Sequence, residues 1–109
     1  MAQSPRSLNV NLDLLESHPK KEWLLANLRK QLAKDLKCEE EEVPTEDLEN
    51  WLRHWLDQYR IQAQSFTDLF YRIDLAEKYL SENNIEIARA ILKREAIKVY
   101  FRAQYSGLI

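Results

Sequence analysis

From Thr45 to Ser106 the chain contains neither glycine nor proline; its one glycine is Gly107, and its prolines are Pro5, Pro19 and Pro44. Tight hairpins need residues that accept positive φ, and sheets of short strands need such turns at frequent intervals. A run so poorly punctuated predicts helices joined by short links. The chain has 109 residues, 45% of them hydrophobic and 31% charged, so these helices should form one domain with a modest core rather than a disordered chain. No stretch approaches the apolar length of a membrane span, and "MAQSPRSLNV" lacks the apolar run of a signal peptide. Cys38, the single cysteine, has no partner for an internal disulfide, and a cytoplasmic location is expected.

Periodicity places four helices. "SHPKKEW" opens the first, with Ser17 as N-cap and Pro19 in the first turn; Leu24, Leu25, Leu28, Leu32 and Leu36 then mark its core face. Trp23 falls on the other side, where it either packs on the N-terminal arm or stands exposed. Four glutamates, Glu39 to Glu42, oppose the negative end of this helix's dipole, so it should stop near Lys37. The connection "KCEEEEVPTEDLEN" reads as a solvated linker followed by an N-cap at Thr45, with Glu46, Asp47 and Glu49 favoured in the next first turn. Its alternative reading is an acidic docking patch for a basic partner. In "LENWLRHWLDQY" the second helix buries Leu48, Leu52, Trp55, Leu56 and Tyr59, continued by Ala63 and Phe66, and leaves Trp51 at the rim as a candidate interface ring. Whether this helix runs on into the third is left open.

The last two helices carry apolar residues on two sides. A capping box at Ser65 and Asp68 precedes Phe66, Leu69, Phe70, Ile73, Ala76 and Leu80, while Tyr71, Leu75 and Tyr79 run up the opposite side. Asn83, with Glu86 three residues on, caps the fourth helix, whose core stripe is Ile85, Ala88, Leu92, Ala96, Val99 and Ala103; Ile87, Ala90, Ile97, Phe101 and Tyr105 lie across from it. A helix apolar on two sides is central in a bundle or shared with a partner, and four helices can make one of them central but hardly both. Tyr71, Tyr79 and Phe101 left bare would expose roughly 500 Å², near the upper end for a monomer. Trp51, Tyr71, Leu75, Tyr79, Ile97 and Phe101 are therefore the candidate protein interface.

The N-terminal arm, residues 1–16, alternates strictly in "SLNVNLDLL": Leu8, Val10, Leu12 and Leu14 against Asn9, Asn11 and Asp13. Three readings compete: a strand paired with its copy or with another protein, a short helix through Leu8, Leu12 and Leu15, and an irregular extended arm. Further along, "LAEKYLSENNIEIARAIL" resembles a tetratricopeptide helix-turn-helix: Leu75, Ala76 and Tyr79, then Ala88 and Leu92, occupy the positions where its two helices cross. Arg72, Glu95 and Tyr100 depart from the pattern and no second copy is present, so the resemblance implies an antiparallel helical hairpin and no peptide groove.

Nothing in the chain reads as catalytic. His18 and His54 lie on different helices without metal-ligand spacing, and one terminal glycine cannot build a phosphate loop. Cys38 reads as an inert surface or junction thiol, against which Lys34 and Lys37 nearby would modestly favour a thiolate. Arg94, Lys98 and Arg102 stand four apart on the last helix as a possible track for nucleic-acid phosphates or another anionic partner, but the net charge of −2 opposes nucleic acid. The expectation is an all-α, four-helix bundle-like domain over residues 17–109, with an extended N-terminal arm and a C-terminal helical hairpin. Its expected role is that of a non-enzymatic adaptor, assembly or regulatory factor without cofactor, metal or small-molecule substrate. It would act through protein contacts, with a homodimer favoured over membrane or nucleic acid.

Overall fold

The computed structural model describes residues 12–61 and 66–109. Five α-helices pack on one another: α1 (Leu12–Ser17), α2 (Lys21–Leu36), α3 (Leu48–Ile61), α4 (Phe66–Ile73) and α5 (Asn84–Tyr105). Short 3₁₀ turns lie at Glu40–Glu42 and Glu77–Ser81. No strand occurs among the described residues, and none of their helices is long and apolar enough to cross a membrane. The all-α, bundle-like fold expected from the missing turn residues is the fold observed.

The arm is corrected in its last part. Leu12, Asp13 and Leu14 are not extended but open α1, which buries Leu15 completely and packs Leu12 against the core. Helical spacing wins over alternation here because Leu12 and Leu15 face the same side of one turn. Leu8 and Val10 lie outside the described residues. Ser17 does not cap the next helix: it ends α1, its Oγ donating to the Leu14 carbonyl at 3.2 Å. The α2 helix starts after Lys20, whose N–H donates to His18 Nδ1 at 2.9 Å.

Three helices end in the same way. At Lys37, Asp74 and Gly107 the backbone turns left-handed, with φ of 59°, 65° and 79°. In each case the next residue's N–H reaches back five residues: Cys38 to Ala33, Leu75 to Phe70, Leu108 to Ala103. The left-handed residue itself bonds three back, which completes the Schellman pattern and satisfies carbonyls that would otherwise be orphaned. Glycine is the ordinary occupant of that position. The sequence supplies it once, and a lysine and an aspartate stand in for it elsewhere.

This pattern also cuts the third helix short. The apolar series through Leu80 predicted one helix over Phe66–Leu80, but α4 stops at Ile73. Leu75, Tyr79 and Leu80 then fold back through the Glu77–Ser81 turn and pack against the core. Part of the second apolar side is thereby covered without a second central helix, while Tyr71 stays exposed. The C-terminal hairpin survives as α4, a bent connector and α5; the first helix implied by the tetratricopeptide resemblance does not form, since Leu75 and Ala76 are not helical.

The α5 helix is the central element, packed against α1, α2, α3, α4 and the Glu77–Ser81 turn. Asn83 caps it as expected, its Oδ1 accepting the Glu86 N–H at 2.9 Å. Its buried face combines Ala88, Ala96 and Ala103 with Ile87, Ile91, Leu92 and Val99, so small residues let neighbouring helices approach closely. Leu24, Leu28, Leu32 and Leu36 of α2 and Leu48, Leu52 and Leu56 of α3 close the core as their spacing predicted. Trp55 and Tyr59 are half-buried at its edge, in a stacked row with Phe66 and Phe70 at centroid separations of 4.8, 5.6 and 6.1 Å. Thr45 does not cap α3, which begins three residues later, with the Asp47 carbonyl accepting from the Trp51 N–H. Ser65 lies outside the described residues, and Asp68 is in the first turn of α4.

A lysine held left-handed carries a steric cost that glycine does not. Lys37→Gly should therefore stabilise the protein by about 1 kcal/mol, read as a higher urea midpoint at unchanged denaturant slope. Equal or lower stability would show that the Lys37 backbone is not strained.

Candidate functional site

The six predicted interface residues differ in exposure. Leu75 and Tyr79 pack against the core from the Glu77–Ser81 side, as Trp51 does from α3. Ile97 and Phe101 are half-buried along α5, and Tyr71 is 88% exposed. Tyr105, placed by the sequence on the second face of α5, is the other exposed large ring, at 84%. Phe101 and Tyr105 share an open surface hollow with Lys98, Arg102 and Ser106.

The three aligned cations are all engaged within the chain. Arg94 Nη2 lies 2.7 Å from Asp74 Oδ2, an interaction that anchors the left-handed turn ending α4 to α5. Arg102 Nη2 donates to Gln31 Oε1 at 3.0 Å, and Lys98 Nζ lies 3.1 Å from Asp35 Oδ2 and 3.0 Å from Glu95 Oε2. Behind them is a cluster that sequence reasoning missed. Glu95 is fully buried, and Asp35 and Gln31 of α2 nearly so. Gln31 Nε2 donates to Asp35 Oδ2 at 2.9 Å, and Arg72 Nε of α4 donates to the Asp35 carbonyl at 2.8 Å.

Ionised Glu95 would have no hydrogen-bond partner: Lys98 is close enough for an ion pair but is not aligned as a donor. Burial, then hydrogen bonding to Asp35 and the Asp35 charge, push the Glu95 carboxyl up to about 8, against the smaller opposing effect of Lys98. A protonated Glu95 donating to the Asp35 carboxylate resolves both facts. At Asp35 burial works upward, but hydrogen bonds from Glu95, Gln31 and Lys98, with the Lys98 charge, outweigh it and hold the carboxyl below its ordinary 3.8. The available signal was positional. On a helical wheel Glu95 falls between Ile91 and Ala88, inside the core stripe, with Lys98 one turn on.

The acidic connection is ordered rather than a free linker. Glu42 Oε2 accepts the Glu39 N–H at 2.7 Å, and Val43 is fully buried. Arg29 reaches across from α2, its Nε donating to the Val43 carbonyl at 2.9 Å and its Nη2 to that of Glu40 at 3.2 Å. Cys38 is half-buried, and burial first, then the charges of Glu42 and Glu39, raise its thiol, which agrees with an inert junction thiol and not with a thiolate favoured by Lys34 and Lys37. His18 sits edge-on to Tyr100 at 6.2 Å, and His54 is exposed on α3 beside Arg53. No group of histidines, cysteines and carboxylates suited to a metal ion occurs among the described residues.

Beside this connection lies a groove of about 530 Å³ between α1, α2 and the start of α3. Glu22, Leu25, Ala26 and Arg29, spaced along one face of α2, form one wall; Leu12 and Glu16 of α1 and the run from Pro44 to Glu49 complete it. Leu48 is buried at its floor, Leu12, Leu25 and Pro44 are half-buried, and Ala26 is exposed. Compared with protein-family profiles, curated proteins and solved structures, the chain matches none.

Between about pH 4.5, where Glu95 ionises in the unfolded chain, and about 8, where it ionises in the fold, the folded state holds one more proton. Stability from this group therefore falls as pH rises through that window, while Asp35 contributes stability that is lost as pH falls below 3.8. Glu95→Gln, which keeps the neutral shape, should grow more stable relative to the parent as pH rises from 5 to 8, by up to a few kcal/mol. Urea titrations of both proteins across that range provide the measurement. Parallel stability curves would mean that Glu95 is not held protonated.

Proposed function

We propose that this chain is a small non-enzymatic helical adaptor, assembly or regulatory factor that acts through protein–protein contacts. The observation carrying this reading is the groove of α1, α2 and the Pro44–Glu49 run, where apolar side chains stay open to solvent beside a closed core. In so small a domain buried apolar area is scarce, and a partner segment laid over Leu12, Leu25 and Pro44 recovers what folding leaves uncovered. The carboxyl with the most displaced ionisation, Glu95, is sealed from any substrate, which favours binding over catalysis. Nucleic acid, through Arg94, Lys98 and Arg102, has less support because these cations already serve Asp74, Asp35, Glu95 and Gln31.

Self-association is a second reading, favoured by the exposure of Tyr71 and Tyr105. Sedimentation at micromolar concentration should give a dimer, and Tyr71→Glu or Tyr105→Glu should return it to monomer with the helical circular dichroism unchanged, since exposed sites cost about 0.5 kcal/mol or less. A parent that sediments as a monomer removes self-association and leaves a different protein as partner. For the groove, a photo-crosslinking residue in place of Ala26, in the full chain within cells, should form protein adducts that the same residue at Gln104 does not. Adducts at neither position, or equally at both, would defeat the adaptor reading.

A further inference from the structure

We infer that the groove takes a segment of a partner protein whose apolar side chains are flanked by lysine or arginine; the assignment rests on the reading of the chain as a protein-binding factor. The floor selects the apolar part. Leu48, Leu25, Leu12 and Pro44 offer hydrocarbon, and Ala26 is too short to fill the space above it, leaving about 530 Å³, room for several side chains.

The rim selects the charge. Glu16 and Glu22 on the helical side and Glu46 and Asp47 on the opposite side are exposed and take part in no ion pair among the described residues. Glu49 is paired with Arg89 at 3.2 Å. The lining contains one cation, Arg29, but its guanidinium is committed to the carbonyls of Glu40 and Val43 and sits among partners of its own. Four carboxylates around an apolar hollow repel one another and focus a negative potential on its mouth. A cationic segment relieves that repulsion, is drawn in faster and is held in register by charges on both sides. An acidic segment of equal hydrophobicity meets like charge on both walls and is rejected. The fold keeps this asymmetry in place, because the carbonyls that hold Arg29 belong to the same connection that carries Glu46 and Asp47.

Three synthetic peptides of equal length test the assignment against the full ¹⁵N-labelled chain: one of leucine and lysine, one of leucine and glutamate, one of serine and lysine. The leucine–lysine peptide should bind in the micromolar range, shift the amides of Leu25, Ala26 and Thr45, and weaken as salt is added. Replacing Glu22 and Glu46 together by glutamine should weaken it about tenfold, and Ala26→Trp, which fills the hollow from an exposed position, should abolish it. Both variants should keep the parent's circular dichroism. Equal binding of the leucine–glutamate peptide in the groove would overturn the charge assignment while leaving a protein-binding groove, and equal binding of the serine–lysine peptide would overturn the apolar one. Failure of all three peptides to move the groove amides would overturn the docking site itself, whereas the wider adaptor reading stands or falls separately on the Ala26 cross-link. Shifts of the same amides caused by Leu8→Ser or Val10→Ser without peptide would make the chain's own N-terminal segment the occupant. Shifts that grow with protein concentration would make it a second copy, and either result overturns the proposal.

Discussion

Glu95 occupies the middle of the helix that the four other α-helices pack against, and its side chain has no access to water. A bare carboxylate there would cost several kcal/mol, so the surrounding chain must either keep its proton on or bring a cation to it. This chain does both. A protonated Glu95 donates to Asp35 on α2, Lys98 stands between the two carboxyls, and Gln31 donates to Asp35 while accepting from Arg102 on the outside. An apolar seam of leucines and alanines tolerates small slides along the helix axis; a cluster with donors and acceptors at about 3 Å does not. The register of α2 against α5 is thus held by polar contacts, although most of the buried surface is hydrocarbon.

The same cluster ties in the shorter elements. Arg72 joins α4 to the Asp35 carbonyl near the end of α2, and Arg94 holds Asp74, the left-handed residue at which α4 stops, against α5. The place where the third helix breaks is therefore fixed twice, once by its own Schellman bonds and once from the central helix. Ending α4 there reduces the surplus of apolar faces, leaving Tyr71 exposed. A straight helix through Leu80 would have sent Leu75 and Tyr79 away from the core side, whereas the bent connector turns both back onto it.

Much of this architecture was legible from spacing. The core leucines of α2 and α3, the alanine stripe of α5 and the Asn83 cap stand where period and capping chemistry placed them. The misses share one physical origin: each concerns a residue whose neighbours override its type. Glu95 stood out in the sequence only as a departure from the tetratricopeptide pattern, because carboxylates rarely lie buried without partners and its partner Asp35 comes from a distant part of the sequence. Lys37 and Asp74 end helices in a conformation associated with glycine, so a chain nearly free of glycine looked less punctuated than it is. The groove was legible only in part. The glutamate-rich connection suggested an acidic docking patch, but bringing Glu16 and Glu22 to the same hollow required α1 to be a helix lying beside α2.

The division between interior and surface bears on what such a domain can do. Its most perturbed acid is sealed in the core, and the lysine beside it is spent on holding two helices together. Its open apolar surface is bounded by Glu16, Glu22, Glu46 and Asp47, which take part in no ion pair among the described residues. Catalysis needs the reverse arrangement, with displaced ionisation at an accessible site where a reacting group can meet it. Recognition needs only shape, exposed hydrocarbon and a charge pattern that discriminates among partners, and the proposed binding role rests on these features of the groove of α1, α2 and the Pro44–Glu49 run. The polar core and the apolar groove also share α2: Gln31 and Asp35 turn from it toward α5, while Glu22, Ala26 and Arg29 line the opposite side of the helix. Whatever fixes α2 against α5 therefore also sets the wall of the groove, so under the proposed role the buried cluster would pre-form the docking surface and lower the ordering cost of a partner.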